Sequence, residues 1–293
     1  MRTTPRSMLA PALALPCLLL AFASAPAQQS TATDYHGIPG RAARFMDNCH
    51  DRDNDDHPDD VFCEVRPSTL PATSSLDVDG RQNGSVIVHG WAKNSVQVVA
   101  LIETHARGQA NAQQLAKGTR IVTDGGRIHA EAPSDVRSSF RGDGNGSYVS
   151  VSYEVWAPRG TNLNLQAENG SISVDSVNST VDLQTSNGSV HLTDVAGDFR
   201  GGTTNGSVVV DLSGDKWSGS GLDLRTINGG VRLSLPSNYS ARLTTGTVNG
   251  GMNIDFPITL QGRIGREIET NLGQGGAPIR VMTTNGGVTI RRK

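Results

Sequence analysis

The sequence predicts an all-β chain, a single-stranded β-helix (β-solenoid) of about 18-residue coils with one short N-terminal capping helix. Three observations predict it. The tetrapeptide Thr-x-Asn-Gly recurs at Thr185–Gly188, Thr203–Gly206, Thr226–Gly229, Thr247–Gly250 and Thr283–Gly286, and a sixth copy carries Ala167 in place of Thr. The six Asn residues are 18, 18, 23, 21 and 36 positions apart, a period in the range of solenoid repeats. Each copy stands between two short alternating apolar runs, and aromatics make up only 4% of a chain that holds 34 Gly. Small stacked coils that bury Val, Leu and Ile layer by layer suit such a composition better than a globular core of large side chains.

Residues 1–27 read as a secretory signal peptide. Arg2 and Arg6 precede an apolar run from Met8 to Ala23, and Ala25-Pro26-Ala27 offers a small-residue cleavage site. The run is short for a membrane span of ~20 residues and contains Pro11 and Pro16. No transmembrane segment is expected after signal cleavage.

Residues 28–75 read as an acidic, disulfide-containing leader. Cys49 and Cys63 are the two cysteines outside the signal, and export permits a bond between them. Closing a loop of that size contributes roughly 3 kcal/mol in the chain-entropy model.

Residues 76–160 read as the start of the solenoid and its cap. Asn83-Gly84-Ser85-Val86-Ile87-Val88 matches the repeat, Val96–Ile102 is a buried-strand candidate, and Tyr148–Trp156 alternates. Thr104–Lys117, rich in Ala and Gln and closed by Gly118, is the one helix expected. It would shield the open end of the stack.

Residues 161–293 read as the regular repeats. Three and five positions after each Asn the chain is apolar, as in Val190 and Leu192 around His191. Six and four positions before it, Val181 and Leu183 or Leu222 and Leu224 do the same, whereas Phe199 is followed by Gly201 and Leu243 by Thr245. Such period-two patterns mark half-buried strands. The pairs Asn169-Gly170, Asn187-Gly188, Asn205-Gly206, Asn228-Gly229, Asn249-Gly250 and Asn285-Gly286 are assigned as structural turns. Asn and Gly tolerate the positive φ of a sharp corner, and stacked Asn side chains can form a hydrogen-bonded ladder. A hairpin-built sandwich or barrel is the alternative, because Asn-Gly between alternating runs is also a hairpin signal. In the outward column five before each Asn, Asp182, Arg200 and Asp223 alternate in sign, as neighbours in a stack would.

Candidate chemistry is sparse. Asp51, Asp53 and Asp55 have the spacing that opens an EF-hand loop, but Asp56 stands where its Gly belongs and Phe62 where its Glu belongs. No metal ligands are assigned and no cofactor is expected, with Ca²⁺ at the 51–60 acidic run as the lone alternative. Outward carboxylates such as Asp182, Asp211 and Asp223 are scattered singly, so no catalytic residues are assigned. Trp91, Trp156 and Trp217 would stack on sugars if exposed, and otherwise pack the rims. The formal charge is −2, and loss of Arg2 and Arg6 takes it to −4, so nucleic acid is not expected as a partner.

The Thr-x-Asn-Gly repeats, Cys63-Glu64-Val65-Arg66, Gly219-Ser220-Gly221-Leu222-Asp223 and Thr283-Thr284-Asn285-Gly286-Gly287-Val288 together carry a resemblance. Over roughly residues 60–293 the chain resembles the bacterial exported β-strand-repeat family of unknown function labelled "putative adhesin". That resemblance implies a β-helix-like domain of the bacterial envelope, periplasmic or secreted, and supplies no catalytic residues. The expected function is a non-catalytic binding or structural module that uses a lateral solenoid face, with an envelope glycan or surface protein as partner. The alternative is a polysaccharide-active enzyme on the same scaffold.

Overall fold

Alternating runs with tight corners leave each strand one apolar face, and two sheets facing each other across a thin core satisfy them all. The computed structural model describes residues 40–52 (the last three as backbone only), 61–133, 147–256 and 266–293. In chain order these form α1 (Gly40–Arg52), β1 (Val61–Pro71), β2 (Ser75–Asp79), β3 (Val86–Trp91), β4 (Ser95–His105), α2 (Gln109–Gly118), β5 (Arg120–Val122), β6 (Arg127–Glu131) and β7 (Tyr148–Pro158). The regular part follows as β8 (Asn162–Ala167), β9 (Ile172–Asp175), β10 (Asn178–Thr185), β11 (Val190–Thr193), β12 (Ala196–Asn205), β13 (Val208–Asp211), β14 (Gly221–Asn228) and β15 (Val231–Leu235). It ends with β16 (Ala241–Asn249), β17 (Met252–Ile254), β18 (Glu267–Leu272), β19 (Pro278–Asn285) and β20 (Val288–Arg292).

The described residues are mostly β, in two ten-stranded sheets. Sheet A runs β1-β4-β7-β3-β9-β11-β13-β15-β20-β17, and sheet B runs β18-β16-β19-β14-β12-β10-β8-β2-β6-β5. The two strands flanking an Asn-Gly pair lie in different sheets. β10 pairs in parallel with β8 and β12, while β11 pairs in parallel with β9 and β13. The Asn-Gly pairs are therefore corners between the sheets and not hairpin turns. Each strand–corner–strand unit is one rung, and one continuous core cluster extends from Leu76 to Ile290. In a typical rung Val181, Leu183, Val190 and Leu192 are all at most 2% exposed.

The corners work differently from expectation. None of the six assigned Asn-Gly pairs has positive φ. Their glycines are required for space. A Cβ on Gly188 would stand 2.1 Å from the Gly170 carbonyl oxygen, and one on Gly206 would stand 2.1 Å from that of Gly188. The left-handed conformation serves the opposite corner, at Ser176 (φ 57°) and Asp194 (φ 51°), just before buried Val177 and Val195.

Three side-chain ladders run along the Asn-Gly edge. Asn187 Nδ2 donates to Asn169 Oδ1, Asn205 to Asn187, Asn228 to Asn205, Asn285 to Asn228 and Asn249 to Asn285, each at 2.8 Å. Asn169 donates likewise to Asn83 at 3.1 Å. The motif threonines are buried, and each donates its hydroxyl to a glycine carbonyl of the adjacent rung, as Thr185 does to Gly170 and Thr203 to Gly188, both at 2.7 Å. The backbone amides of Ser189 and Ser207 meet the hydroxyls of Ser171 and Ser189.

Stacking order departs from chain order. The β19–β20 rung lies between the β14–β15 rung and the β16–β17 rung, and β18 pairs antiparallel with β16 at the edge. The 36-residue step is therefore a path out to β16–β18 and back. One outward column becomes Asp182–Arg200–Asp223–Arg280–Thr244, so Arg280 and not Thr244 neighbours Asp223.

Among the described residues two helices are present where one was expected. α2 crosses from sheet A to sheet B at the N-terminal end of the stack and adds Leu115 and Ala116 to the core. Arg66 of β1 satisfies the end of that helix by donating to the Ala116 and Thr119 carbonyls, with its other edge held by Glu64. α1 falls within the residues read as a leader. Its Ala42, Phe45, Met46 and Cys49 form a stripe at helical spacing that packs over β1 and β4 on the outer face of sheet A. The Cys49–Cys63 disulfide ties the helix to β1. The signal segment and most of the acidic run lie outside the described residues, as does the side chain of Asp51. All described residues belong to one compact unit.

Candidate functional site

The outward face of sheet B is a lattice of side chains two residues apart along each strand and one strand spacing, ~4.8 Å, apart across strands. Glycine leaves lattice points without a side chain at Gly202, Gly221 and Gly246, and the first of these is walled on both sides. Gly202 of β12 faces out between Gln184 of β10 and Arg225 of β14. Its neighbours along the strand are Arg200 and Thr204. The backbone there accepts only glycine: Gly201 and Gly202 have φ of 132° and 152°, and their Cβ atoms would stand 1.7 Å from the Leu183 oxygen and 1.8 Å from the Arg225 oxygen. The result is a notch of about 440 Å³ walled by Gln184, Arg200, Thr204, Asp223, Arg225 and Ile227.

Both arginines in the wall are held along their own strand. Arg200 Nη2 donates to Asp198 at 2.9 Å. Arg225 Nη2 and Nε donate to Asp223 at 3.1 and 3.3 Å. The alternating column therefore forms its ion pairs two residues apart within a strand rather than between rungs. Ile227 is 48% exposed at the mouth and Val248 47% exposed further along the same edge, the two exposed large apolar side chains among the described residues. The notch thus combines fixed guanidinium forks, an amide, a hydroxyl and an apolar rim, which suits reversible binding of a polar ligand.

A second constellation lies on the outer face of sheet A. His89 of β3 stands between Glu154 of β7 and Asp175 of β9, with Nε2 3.3 Å from Glu154 and Nδ1 3.5 Å from Asp175. The hydrogen bond with Glu154 holds the imidazole above its ordinary pKa, against the opposing effect of burial, with Asp175 adding to the rise. Trp156 stacks on His89 at 5.2 Å. Glu154 is only 6% exposed, and its Oε2 is buried without a hydrogen-bond partner among the described residues. From α1, Arg41 is drawn into the same field: burial lowers its pKa, and the Glu154 charge raises it. His89, Glu154 and Asp175 thus form one polar cluster on this face. Among the described residues no group of three or more His, Cys, Asp or Glu could hold a metal ion.

The sequence-assigned residues fall where they serve structure. The assigned asparagines and glycines line one edge of the stack, and Cys49 and Cys63 are bonded. Trp217 is buried edge-on to Phe199 and donates to the Gly197 carbonyl. Trp91 donates to the Ser95 carbonyl and carries the Lys93 ammonium over its ring. The Gly201–Gly202 notch had a signal in the sequence, since Gly201 interrupts an otherwise regular apolar pair. His89, Glu154 and Asp175 had none: they lie 65 and 86 residues apart and meet only through strand order.

Residues 72–291 match the family described as Toastrack DUF4097. The chain belongs to this family. The Toastrack chain has no match among curated proteins. Among solved structures it is similar to a putative cell adhesion protein from Clostridium sporogenes, at 12% identity and a TM-score of 0.43 over 80% of this chain and 100% of that one. It is also similar to a putative adhesin from Bacteroides fragilis, at 9% identity and a TM-score of 0.29 over 78% and 97%. A third is a putative lipid binding protein from Parabacteroides distasonis, at 13% identity and a TM-score of 0.32 over 78% and 97%. In the Toastrack chain no described helix is long and apolar enough to cross a membrane.

Proposed function

We propose that this protein is a non-catalytic, exported module of the bacterial envelope, built as a single-stranded β-helix, that binds a glycan or surface protein through a lateral face. The observation that carries this reading is the notch at Gly202, a gap in the outward lattice of sheet B walled by two anchored arginines. Glycine there is demanded by the backbone, so the gap cannot close by side-chain growth. The signal-like N-terminus and the Cys49–Cys63 disulfide support export to an oxidising compartment. The test is a binding screen of the mature protein against envelope glycans and proteins. Binding that is lost on Gln184→Trp, which fills the notch from an exposed position, supports the reading. No binder, or binding indifferent to that change, overturns it.

A second reading, a polysaccharide-active enzyme, draws on Glu154 and Asp175, which flank His89 on strands either side of β3. Turnover of any envelope polysaccharide that disappears in both Glu154→Gln and Asp175→Asn would favour it over binding alone.

A further inference from the structure

We propose that the Gly202 notch is a subsite for a carboxylated sugar, a uronate unit of an acidic polysaccharide. This rests on the binding-module reading and names the ligand class. The guanidinium groups define the chemistry. Asp198 engages Nη2 of Arg200, and Asp223 engages Nη2 and Nε of Arg225. Nη1 of each group has no protein partner among the described residues. Each arginine is thus pre-oriented at one edge and free at the other, and a carboxylate can accept from the free edges without paying the entropy of fixing two long side chains.

Position decides between a point anion and a sugar. Arg225 lies directly across from Gly202, and Arg200 lies two residues along the strand, so both arginines border the vacancy. Between the remaining directions stand the Gln184 amide and the Thr204 hydroxyl, matched to ring hydroxyls, and the half-exposed Ile227, matched to the C–H face of a pyranose. A bare carboxylate or phosphate would use the cations and leave Ile227 and most of the 440 Å³ wet. A neutral sugar would use Gln184, Thr204 and Ile227 and leave the free guanidinium edges unmatched. A sugar that carries a carboxylate uses all of them. The column continues the same way, since Arg280 follows Asp223 one rung on, and an extended acidic chain running along the stack would meet another guanidinium there.

The experiment is titration calorimetry of the full mature protein with an oligogalacturonate and with the equivalent neutral oligogalactose. Saturable binding of the oligogalacturonate is expected, weakening as salt rises, with the neutral oligomer at least tenfold weaker. In Arg200→Gln/Arg225→Gln, loss of two charge-assisted bonds is expected to weaken it by on the order of a hundredfold, and Gln184→Trp to abolish it. Both changes are on exposed side chains, and an unchanged thermal unfolding midpoint confirms the fold. Tight binding of oligogalactose that survives the double arginine change but not Gln184→Trp overturns the uronate assignment and leaves the binding-module reading standing. Oligogalacturonate binding that survives all three changes places the site elsewhere and overturns the notch. No binding of either oligomer overturns the uronate assignment, and the wider screen then decides the module.

Discussion

Each residue of Thr-x-Asn-Gly has a separate physical task, and the tasks rank differently in energy. The glycine lets one rung's corner rest on the next at a separation that forbids a Cβ. The threonine hydroxyl, inside the core, satisfies a glycine carbonyl. The asparagine makes exposed amide rungs. Gly206→Ala is therefore expected to cost ~3 kcal/mol or more through backbone displacement. Thr203→Val should cost about 1–2 kcal/mol by removing a buried donor, and Asn205→Ala about 1–2 kcal/mol for two solvent-facing bonds. Urea unfolding midpoints at constant slope would rank them, and an alanine tolerated at Gly206 would contradict the steric account. The same scale governs pH. His89 has a raised folded pKa, so its contribution is fully present below its unfolded value near 6.5 and is lost as pH rises through the folded value. The stability gap between wild type and His89→Gln should be widest near about pH 6 and shrink toward about pH 9. A gap that grew with pH would show that His89 is held neutral instead.

At the scale of elements, the strands of the regular part were legible because each carries its own period-two signal. Val181, Leu183, Val190 and Leu192 announce their inward faces without help from the rest of the chain. α1 was also written in the sequence, in Ala42, Phe45, Met46 and Cys49, but its short apolar stripe sits among Arg, Asp and Asn and borrows most of its stability from sheet A. Helices of that kind are made by the surface they land on. The positive φ expected of Asn-Gly was misplaced for a related reason: local propensity identifies a corner, whereas which residue yields there depends on how closely the next rung approaches. Breaking the Cys49–Cys63 bond with Cys49→Ser should cost up to roughly 3 kcal/mol and loosen α1 first. Hydrogen exchange should then quicken in residues 40–49 and at β1, and leave β8–β15 unchanged. Uniform quickening would mean that α1 and the stack unfold as one.

For the whole molecule, strand order lay beyond what one sequence can say, because equivalent repeats compete for equivalent neighbours. The 36-residue step gave a count of missing residues and no indication that the chain doubles back. Charge offered the one clue, since Arg280 complements Asp223 better than Thr244 does. The candidate site inherits this limit: the vacancy at Gly202 could be suspected from Gly201-Gly202, but its walls come from β10 and β14 and need the register to be known. Deleting residues 278–293 removes the rung between β14–β15 and β16–β17. Limited proteolysis of that truncated chain should spare residues 72–235 and also β16, whose Thr-x-Asn-Gly motif fits the bared edge of β14. Free cleavage within β16 would show that it cannot dock directly on β14.

That return path bears on how the protein assembles as it emerges N-terminus first, from a ribosome or through a translocation channel. When β14 and β15 are out, their parallel edges are bare, and the next strands to arrive are β16 and β17. These carry the same motif, so Thr247 and Asn249 can engage Gly229 and Asn228 just as Thr283 and Asn285 do in the native stack. A nascent chain is thus expected to close on the wrong neighbour and later yield that place to β19–β20. Pulse-labelled hydrogen exchange during refolding would catch this as early protection of β16 that is lost and then regained. The identity of the repeats, which lets any rung sit on any other, makes the order of arrival a hazard that the finished fold no longer displays.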